Sequence, residues 1–181
     1  MIEPLWSPSK QKISTSNMDI LRRKLNQKFN LNLTNYSELH NWSISNLGIF
    51  WEYVWYDTKI KYSKNFNTIV DNENKMPGAK WFSESKLNFA QNLLRIKSDK
   101  IAIEFYSEDI VQYSLSYNEL QDLVSKVSFS LKELGLKKGD RVAAVMPNIP
   151  ETIVLMLASV SIGAIWSSCS PDFGVKGVIE R

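Results

Sequence analysis

The chain has one cysteine and one histidine in 181 residues. Cys169 therefore has no partner for an internal disulfide. Together with His40 it makes no metal-binding cluster, and no pair of carboxylates stands where a metal would need them. The 7 glycines are scattered, and only Gly174 and Gly177 fall close together. Both Gly-rich nucleotide fingerprints are missing, and with them the loops that let backbone amides approach a phosphate. No sign of charge dominates: 22 basic and 19 acidic residues leave +3, which gives no argument for a nucleic-acid partner. The densest basic group, Arg22, Arg23 and Lys24, reads as a solvated helix face. The longest apolar stretch, Thr152 to Trp166, is broken by Ser159, Ser161 and Gly163. It falls short of the about 20 residues that a membrane span needs. The start, Met1 to Trp6, has no basic region followed by an apolar core, so it does not read as a secretory signal. The expectation is a cytoplasmic protein, and the Asn-x-Ser/Thr matches at Asn32, Asn35 and Asn41 then carry no weight.

What is present is the composition of a folded chain. With 44% hydrophobic and 23% charged residues it lies outside the disordered class. Residues 1 to about 95 differ in character from the rest. Ser16 and Asp19 have the spacing of a capping box and open a helix that shows Leu21, Leu25 and Phe29 on one side. An aromatic-dense stretch follows. Within it Leu47, Phe50, Trp51, Val54 and Trp55 recur at helical spacing and read as core rather than as a base-stacking platform, since no cations are interleaved. Residues 57–80 are polar, contain Met76-Pro77-Gly78, and read as loop. Trp81 to Leu94 reads as a docking segment ending in a short helix.

From Lys100 the pattern is regular. Ile101 to Tyr106 and Val111 to Leu115 are two strands joined by a turn at Ser107-Glu108-Asp109, an antiparallel hairpin. Ser116 to Glu119 is a capping box, and its helix carries Leu120, Leu123, Val124, Val127, Leu131 and Leu134 on one stripe. Gly135 suits the position after that helix, where a positive φ is needed. Arg141 to Met146 is a short apolar strand. Pro150 then starts a helix in its first turn, where a missing N–H costs nothing. That helix has almost no polar face and should be buried nearly all round, with Gly163 ending it. Ala164 to Ser167 is the next strand. The β-α-β order makes the two strands parallel, with a right-handed crossover.

Ligands of open α/β sheets bind at the carboxyl ends of the strands, so the loop 168–174 is the leading site candidate. Ser167, Ser168 and Ser170 are small enough to let a ligand reach the backbone. The plainer reading is a turn at Pro171-Asp172, with Asp172 capping a short helix towards Arg181, and on the residues alone it is preferred. Asn148 reads as a helix cap, Cys169 as a buried small apolar residue, and His40 as a structural residue among aromatics.

Two strings of residues resemble a known family. They are Gly139-Asp140-Arg141-Val142-Ala143-Ala144-Val145-Met146-Pro147-Asn148-Ile149-Pro150-Glu151 and Gly163 through Trp166-Ser167-Ser168-Cys169-Ser170-Pro171-Asp172-Phe173-Gly174. Both look like the acetoacetyl-CoA synthetases of the adenylate-forming acyl-CoA synthetase superfamily. Leu5-Trp6-Ser7-Pro8-Ser9, Leu39-His40-Asn41-Trp42-Ser43 and Leu87-Asn88-Phe89-Ala90-Gln91-Asn92-Leu93-Leu94 support the same resemblance. It implies an α/β fold: the amino-terminal part of the adenylate-forming large domain, with a hairpin, a helix and a β-α-β unit of a mostly parallel sheet. A helical, aromatic-rich region at 1–95 precedes it, and 96–181 is the start of the AMP-binding domain. The implied activity joins acetoacetate to CoA, with ATP and Mg²⁺ forming an acyl-adenylate first. By position Ser170, Pro171 and Asp172 match residues that line the CoA tunnel in related acetyl-CoA synthetases, although the aromatic and two glycines of that pattern are absent here. The superfamily's ATP loop and catalytic lysine are not among these residues, so the chain is expected to be an inactive amino-terminal piece with no catalytic residue of its own and no tightly bound cofactor. Alternatives are a ligase for acetate or propionate, or a non-enzymatic module that binds a partner through Phe50 to Trp55. A Rossmann dehydrogenase is a distant third, without its glycine fingerprint.

Overall fold

The computed structural model describes residues 5–108 and 112–181. The chain forms two compact units: residues up to 59 with 68–83, and residues 60–67 with 84–181.

The first unit is built from α1 (Lys10–Ser14), α2 (Asn17–Phe29), α3 (Tyr36–Ser45) and α4 (Leu47–Asp57). It also holds a small antiparallel pair, β1 (Thr68–Val70) and β2 (Trp81–Ser83), in which Val70 faces Trp81. The α2 start follows its sequence signal: the Ser16 hydroxyl accepts from the Asp19 amide at 3.2 Å. Leu25 on its inner face is fully buried. The basic triplet is not simply a solvated face. Arg22 donates to Asp19 and to the Leu33 carbonyl, Arg23 pairs with Asp19, and Lys24 Nζ lies 2.8 Å from Asp57 Oδ1. The cause is the chain reversal after Asn30, whose φ of 53° turns Leu33 back onto α2.

Aromatic rings hold this unit together. Phe29 lies 5.4 Å from Trp42, Phe50 meets Trp42 edge-on at 6.5 Å, and Trp55 stacks on Phe82 at 4.7 Å. The α4 stripe is core at Trp55, 6% exposed, whereas Trp51 stays 41% exposed with its edge towards Trp81. Within the segments read as loop and docking segment lie β1 and β2. Three residues are too few to show a strand's alternation, and the rings of Trp81 and Phe82 beside α4 are what fix β2.

The second unit contains α5 (Phe89–Leu93), β3 (Ile101–Tyr106), β4 (Gln112–Ser116), α6 (Tyr117–Glu133), β5 (Arg141–Val145), α7 (Pro150–Ile162), β6 (Ile165–Cys169) and α8 (Val175–Ile179). β3 and β4 form the expected antiparallel hairpin, with Phe105 opposite Tyr113. Asp109 and Val111, in the turn and at the start of the returning strand, lie outside the described residues. β5 and β6 are parallel, from Arg141 opposite Ile165 to Val145 opposite Cys169. Pro150 opens α7, and Gly163 ends it with φ of 89°, where a Cβ would meet Lys138 Cγ at 3.0 Å.

The core joins Ala90 of α5, Leu120 and Val124 of α6, and Val154, Leu157 and Ala158 of α7. α7 is not buried all round. Ile153, Leu155, Met156 and Val160 are only half-buried, and of these Ile153, Met156 and Val160 still pack against the core cluster.

The capping box at α6 is complete. The Ser116 hydroxyl accepts from the Glu119 amide at 3.2 Å, and the Glu119 carboxylate accepts from the Ser116 amide at 2.8 Å. That backbone hydrogen bond, then the Ser116 hydroxyl, holds the Glu119 carboxyl below its ordinary range. Glu38, Asp71 and Glu84 are lowered as well, by the Thr34 amide, the Lys80 amide and Lys64 respectively. Each such group binds a proton more readily when unfolded. Its stabilisation is present above the ordinary carboxylate range and is lost as pH falls through the lowered folded value. The melting temperature is therefore expected to drop between about pH 5 and about pH 3. Glu119→Gln should flatten part of that drop in thermal melts followed by circular dichroism.

Candidate functional site

The parallel register brings two connections to the same end of the β5–β6 pair. The chain leaves β5 at Met146 and β6 at Ser170, and the Met146 amide donates to the Cys169 carbonyl at 3.1 Å. Ser168 does not lie past the strand. β6 runs to Cys169, and the Trp166 indole N–H donates to the Ser168 hydroxyl at 3.2 Å. The loop proper is thus 170–174.

Within it Ser170 and Asp172 come together. The Ser170 hydroxyl donates to Asp172 Oδ2 at 2.9 Å and accepts from the Asp172 amide at 3.3 Å. The Phe173 amide closes the turn on the Ser170 carbonyl at 3.1 Å. Asp172 consequently does not cap α8. Gly174 holds that position without a side-chain hydrogen bond, because the Asp172 carboxylate is already folded back onto Ser170. Pro171 is exposed at the apex of the turn.

Beside the loop, Phe173, Gly174, Gly177, Glu180 and Arg181 line a concavity of about 570 Å³. The Arg181 guanidinium lies 4.7 Å from the centre of the Phe173 ring, a cation–π contact. Sequence reasoning singled out neither residue as a pair. The i, i+8 spacing across a loop and one helical turn follows no simple period. The arrangement offers a hydroxyl hydrogen-bonded to a carboxylate, beside an aromatic face.

The neighbouring connection differs from expectation. Asn148 does not cap α7. Ile149 is the residue before the helix, and the Thr152 hydroxyl instead donates to the Pro147 carbonyl at 2.8 Å. Two prolines bracket this short link, so it is closed by backbone and Thr152 rather than by an Asn side chain. Cys169 is half-buried rather than buried, its Sγ 3.9 Å from the Ala144 carbonyl oxygen. His40 is exposed and stacks against Tyr36 at 6.0 Å. Among the described residues no group of three or more His, Cys, Asp or Glu side chains gathers to hold a metal. A separate concavity of about 580 Å³ in the first unit is lined by Lys28, Phe29, Glu52, Tyr53, Tyr56 and Asp57. Of its charged residues, Asp57 already holds Lys24 and accepts from the Tyr53 hydroxyl at 3.3 Å.

Comparisons with known proteins agree along the whole chain. Residues 90–179 match the family model for AMP-binding enzymes, and residues 36–93 match that for the acetyl-coenzyme A synthetase N-terminus. An acetoacetyl-coenzyme A synthetase of Rhizobium meliloti (strain 1021) is 44% identical over 178 residues, which is 98% of this chain and 27% of that protein. An acetoacetyl-CoA synthetase of Xenopus tropicalis is 39% identical over 98% of this chain and 26% of its own length. The solved structure of acetoacetyl-CoA synthetase from Streptomyces lividans superposes with a TM-score of 0.92 at 31% identity, covering 99% of this chain and 28% of that one. The chain spans about a quarter of the length of the curated relatives it matches. Two overlapping family matches, relatives along nearly every residue and one shared α/β fold point the same way: the chain is homologous to about a quarter of the length of the acetoacetyl-CoA synthetases and carries the AMP-binding enzyme match.

Proposed function

We propose that this chain is the amino-terminal part of an acetoacetate–CoA ligase. The observation that carries the reading is 44% identity to an acetoacetyl-coenzyme A synthetase across 98% of the chain. A carboxylate is a poor acceptor for a thiol. ATP therefore converts acetoacetate to an acyl-adenylate with release of pyrophosphate, and the CoA thiol then displaces AMP. Charge builds on phosphate and carbonyl oxygens in both steps, which calls for fixed donors and a cation. Mg²⁺ would supply that charge beside ATP.

In this reading residues 96–181 begin the AMP-binding domain, residues 1–95 form the helical region before it, and the chain alone is inactive. Its own share of the work is to hold CoA. Ser170, Pro171 and Asp172 form part of the wall beside the pantetheine arm, and the Ser170–Asp172 hydrogen bonds keep that wall in one conformation. The substrate is a small acid, with no nucleic acid or membrane involved, and the setting is the cytoplasm. Among the described residues no helix is long and apolar enough to cross a membrane. In the full-length protein that carries this chain, Asp172→Ala is expected to raise the KM for CoA roughly three- to tenfold while acetoacetate-dependent ATP–pyrophosphate exchange stays within about twofold. Steady-state kinetics of the two half-reactions checks this. An unchanged KM for CoA removes the loop from the CoA wall.

A ligase for acetate or propionate is the second reading, favoured by the match of residues 36–93 to the acetyl-coenzyme A synthetase N-terminus. Competition between the acids separates the two. A partner-binding module acting through the α4 aromatics is distinguished by solution behaviour. Leu134 is 83% exposed and Phe129 66%, and burying such a side chain is worth about 1.5–3 kcal/mol. The isolated 181-residue chain is therefore expected to self-associate in light scattering. A monodisperse monomer with a cooperative melt favours the module instead.

A further inference from the structure

We propose that Tyr113 is a positioning residue for the CoA site, acting through Glu151 on the 146–149 connection; the inference rests on the reading of the 170–172 loop as a CoA wall. That connection runs between β5 and α7 and lies at the same end of the parallel pair as Ser170. Three anchors hold it. The Met146 amide donates to the Cys169 carbonyl at 3.1 Å, which ties it directly to the residue before the 170–172 loop. The Ile149 amide and the Thr152 hydroxyl both donate to the Pro147 carbonyl, at 3.0 and 2.8 Å. The third anchor comes from another element: the Tyr113 hydroxyl on β4 donates to Glu151 Oε1 at 2.8 Å.

The first two anchors are local or adjacent, made by backbone amides and the nearby Thr152 hydroxyl. The third couples the hairpin to the first turn of α7. Glu151 follows Pro150 at the amino end of α7, where its negative charge complements the helix dipole. Tyr113 is aimed by its contact with Phe105 across the hairpin, ring centres 5.5 Å apart. Partial burial, then the Glu151 carboxylate, pushes the pKa of the phenol up, so it stays protonated and keeps donating. Neither residue touches the 170–172 loop. Tyr113 holds Glu151, Glu151 holds the first turn of α7, and that turn sets the exit of a four-residue link whose entry is bonded to Cys169. A link fixed at both ends presents the exposed Asn148 in one place. Released at one end it shifts the Cys169 carbonyl that leads into the 170–172 wall, and small misplacements of a ligand wall are costly.

The test uses the full-length protein that carries this chain. Tyr113→Phe, which removes only the donor, is expected to raise the KM for CoA roughly three- to tenfold and to leave acetoacetate-dependent ATP–pyrophosphate exchange within about twofold. Glu151→Ala should match it, Glu151→Gln should stay near the parent because its amide oxygen still accepts, and the Tyr113→Phe/Glu151→Ala pair should be no worse than either alone. The proposal is overturned if Tyr113→Phe leaves the KM for CoA unchanged while Asp172→Ala raises it. It is also overturned if Tyr113→Phe lowers both half-reactions together with the melting temperature, which is a merely structural role. If Asp172→Ala too leaves CoA binding untouched, the reading of the loop fails and this inference falls with it.

Discussion

Shortening Leu157 to alanine is expected to cost the second unit about 2–5 kcal/mol. The side chain is 2% exposed and sits among Ala90, Leu120, Val124, Val154 and Ala158, where α6 and α7 meet. Its loss removes apolar contact and leaves a cavity that two helices and a parallel strand pair cannot easily close. Whole domains are stable by only about 5–15 kcal/mol, so the change takes a large share of the total. Leu155 on the same helix is the control. It is half-buried and is not among the side chains packed on that cluster, and Leu155→Ala should cost less than half as much. Urea denaturation of both variants in the full-length protein gives the comparison. Equal costs would mean that α7 is packed on both flanks in that protein.

The second large effect is expected at Asn88, where Ala should cost about 2–4 kcal/mol, the sum of a lost cap and two lost hydrogen bonds to carbonyls, of which that of Val160 keeps the Gly163 amide. Its side-chain oxygen accepts from the Gln91 amide at 3.0 Å and so caps α5. Its side-chain NH₂ donates to the carbonyls of Val160 and Ser161, at 2.8 and 3.3 Å, at the last turn of α7. One residue thus serves three backbone groups on two helices. Asn88→Asp decides which role dominates. It keeps the cap but turns an acceptor towards two carbonyls, so it should rescue little. Recovery to near-parental stability in Asn88→Asp would show that the cap alone matters.

Asn88 also marks the limit of what could be read from the residues. Its place within the run Leu87 to Leu94 was part of the family resemblance, yet its partners lie 72 and 73 residues away, which no local pattern reveals. The legible elements are those with local causes. The Ser116–Glu119 box, Pro150 at the start of α7 and Gly163 at its end are each fixed by chemistry within a few residues. β1 and β2 were illegible because three-residue strands held by rings on α4 have no period of their own. The same distinction holds at the site. That a loop leaves a parallel strand near residue 170 followed from the β-α-β pattern. The partners within it did not: Asp172 and Asn148 both have the composition of caps, but Asp172 is taken by Ser170, and Thr152 rather than Asn148 closes on Pro147. Short polar side chains have several partners within reach, and tertiary placement chooses among them.

The acid that the full protein activates is the central claim. The decisive measurement is CoA thioester formation by the full-length protein carrying this chain, with acetoacetate, acetate and propionate compared as kcat/KM under ATP and Mg²⁺. The account predicts acetoacetate ahead of the other two by at least about tenfold, a margin of roughly 1.4 kcal/mol in transition-state binding. Preference for acetate or propionate, or no ATP-dependent thioester from any of the three, would contradict it.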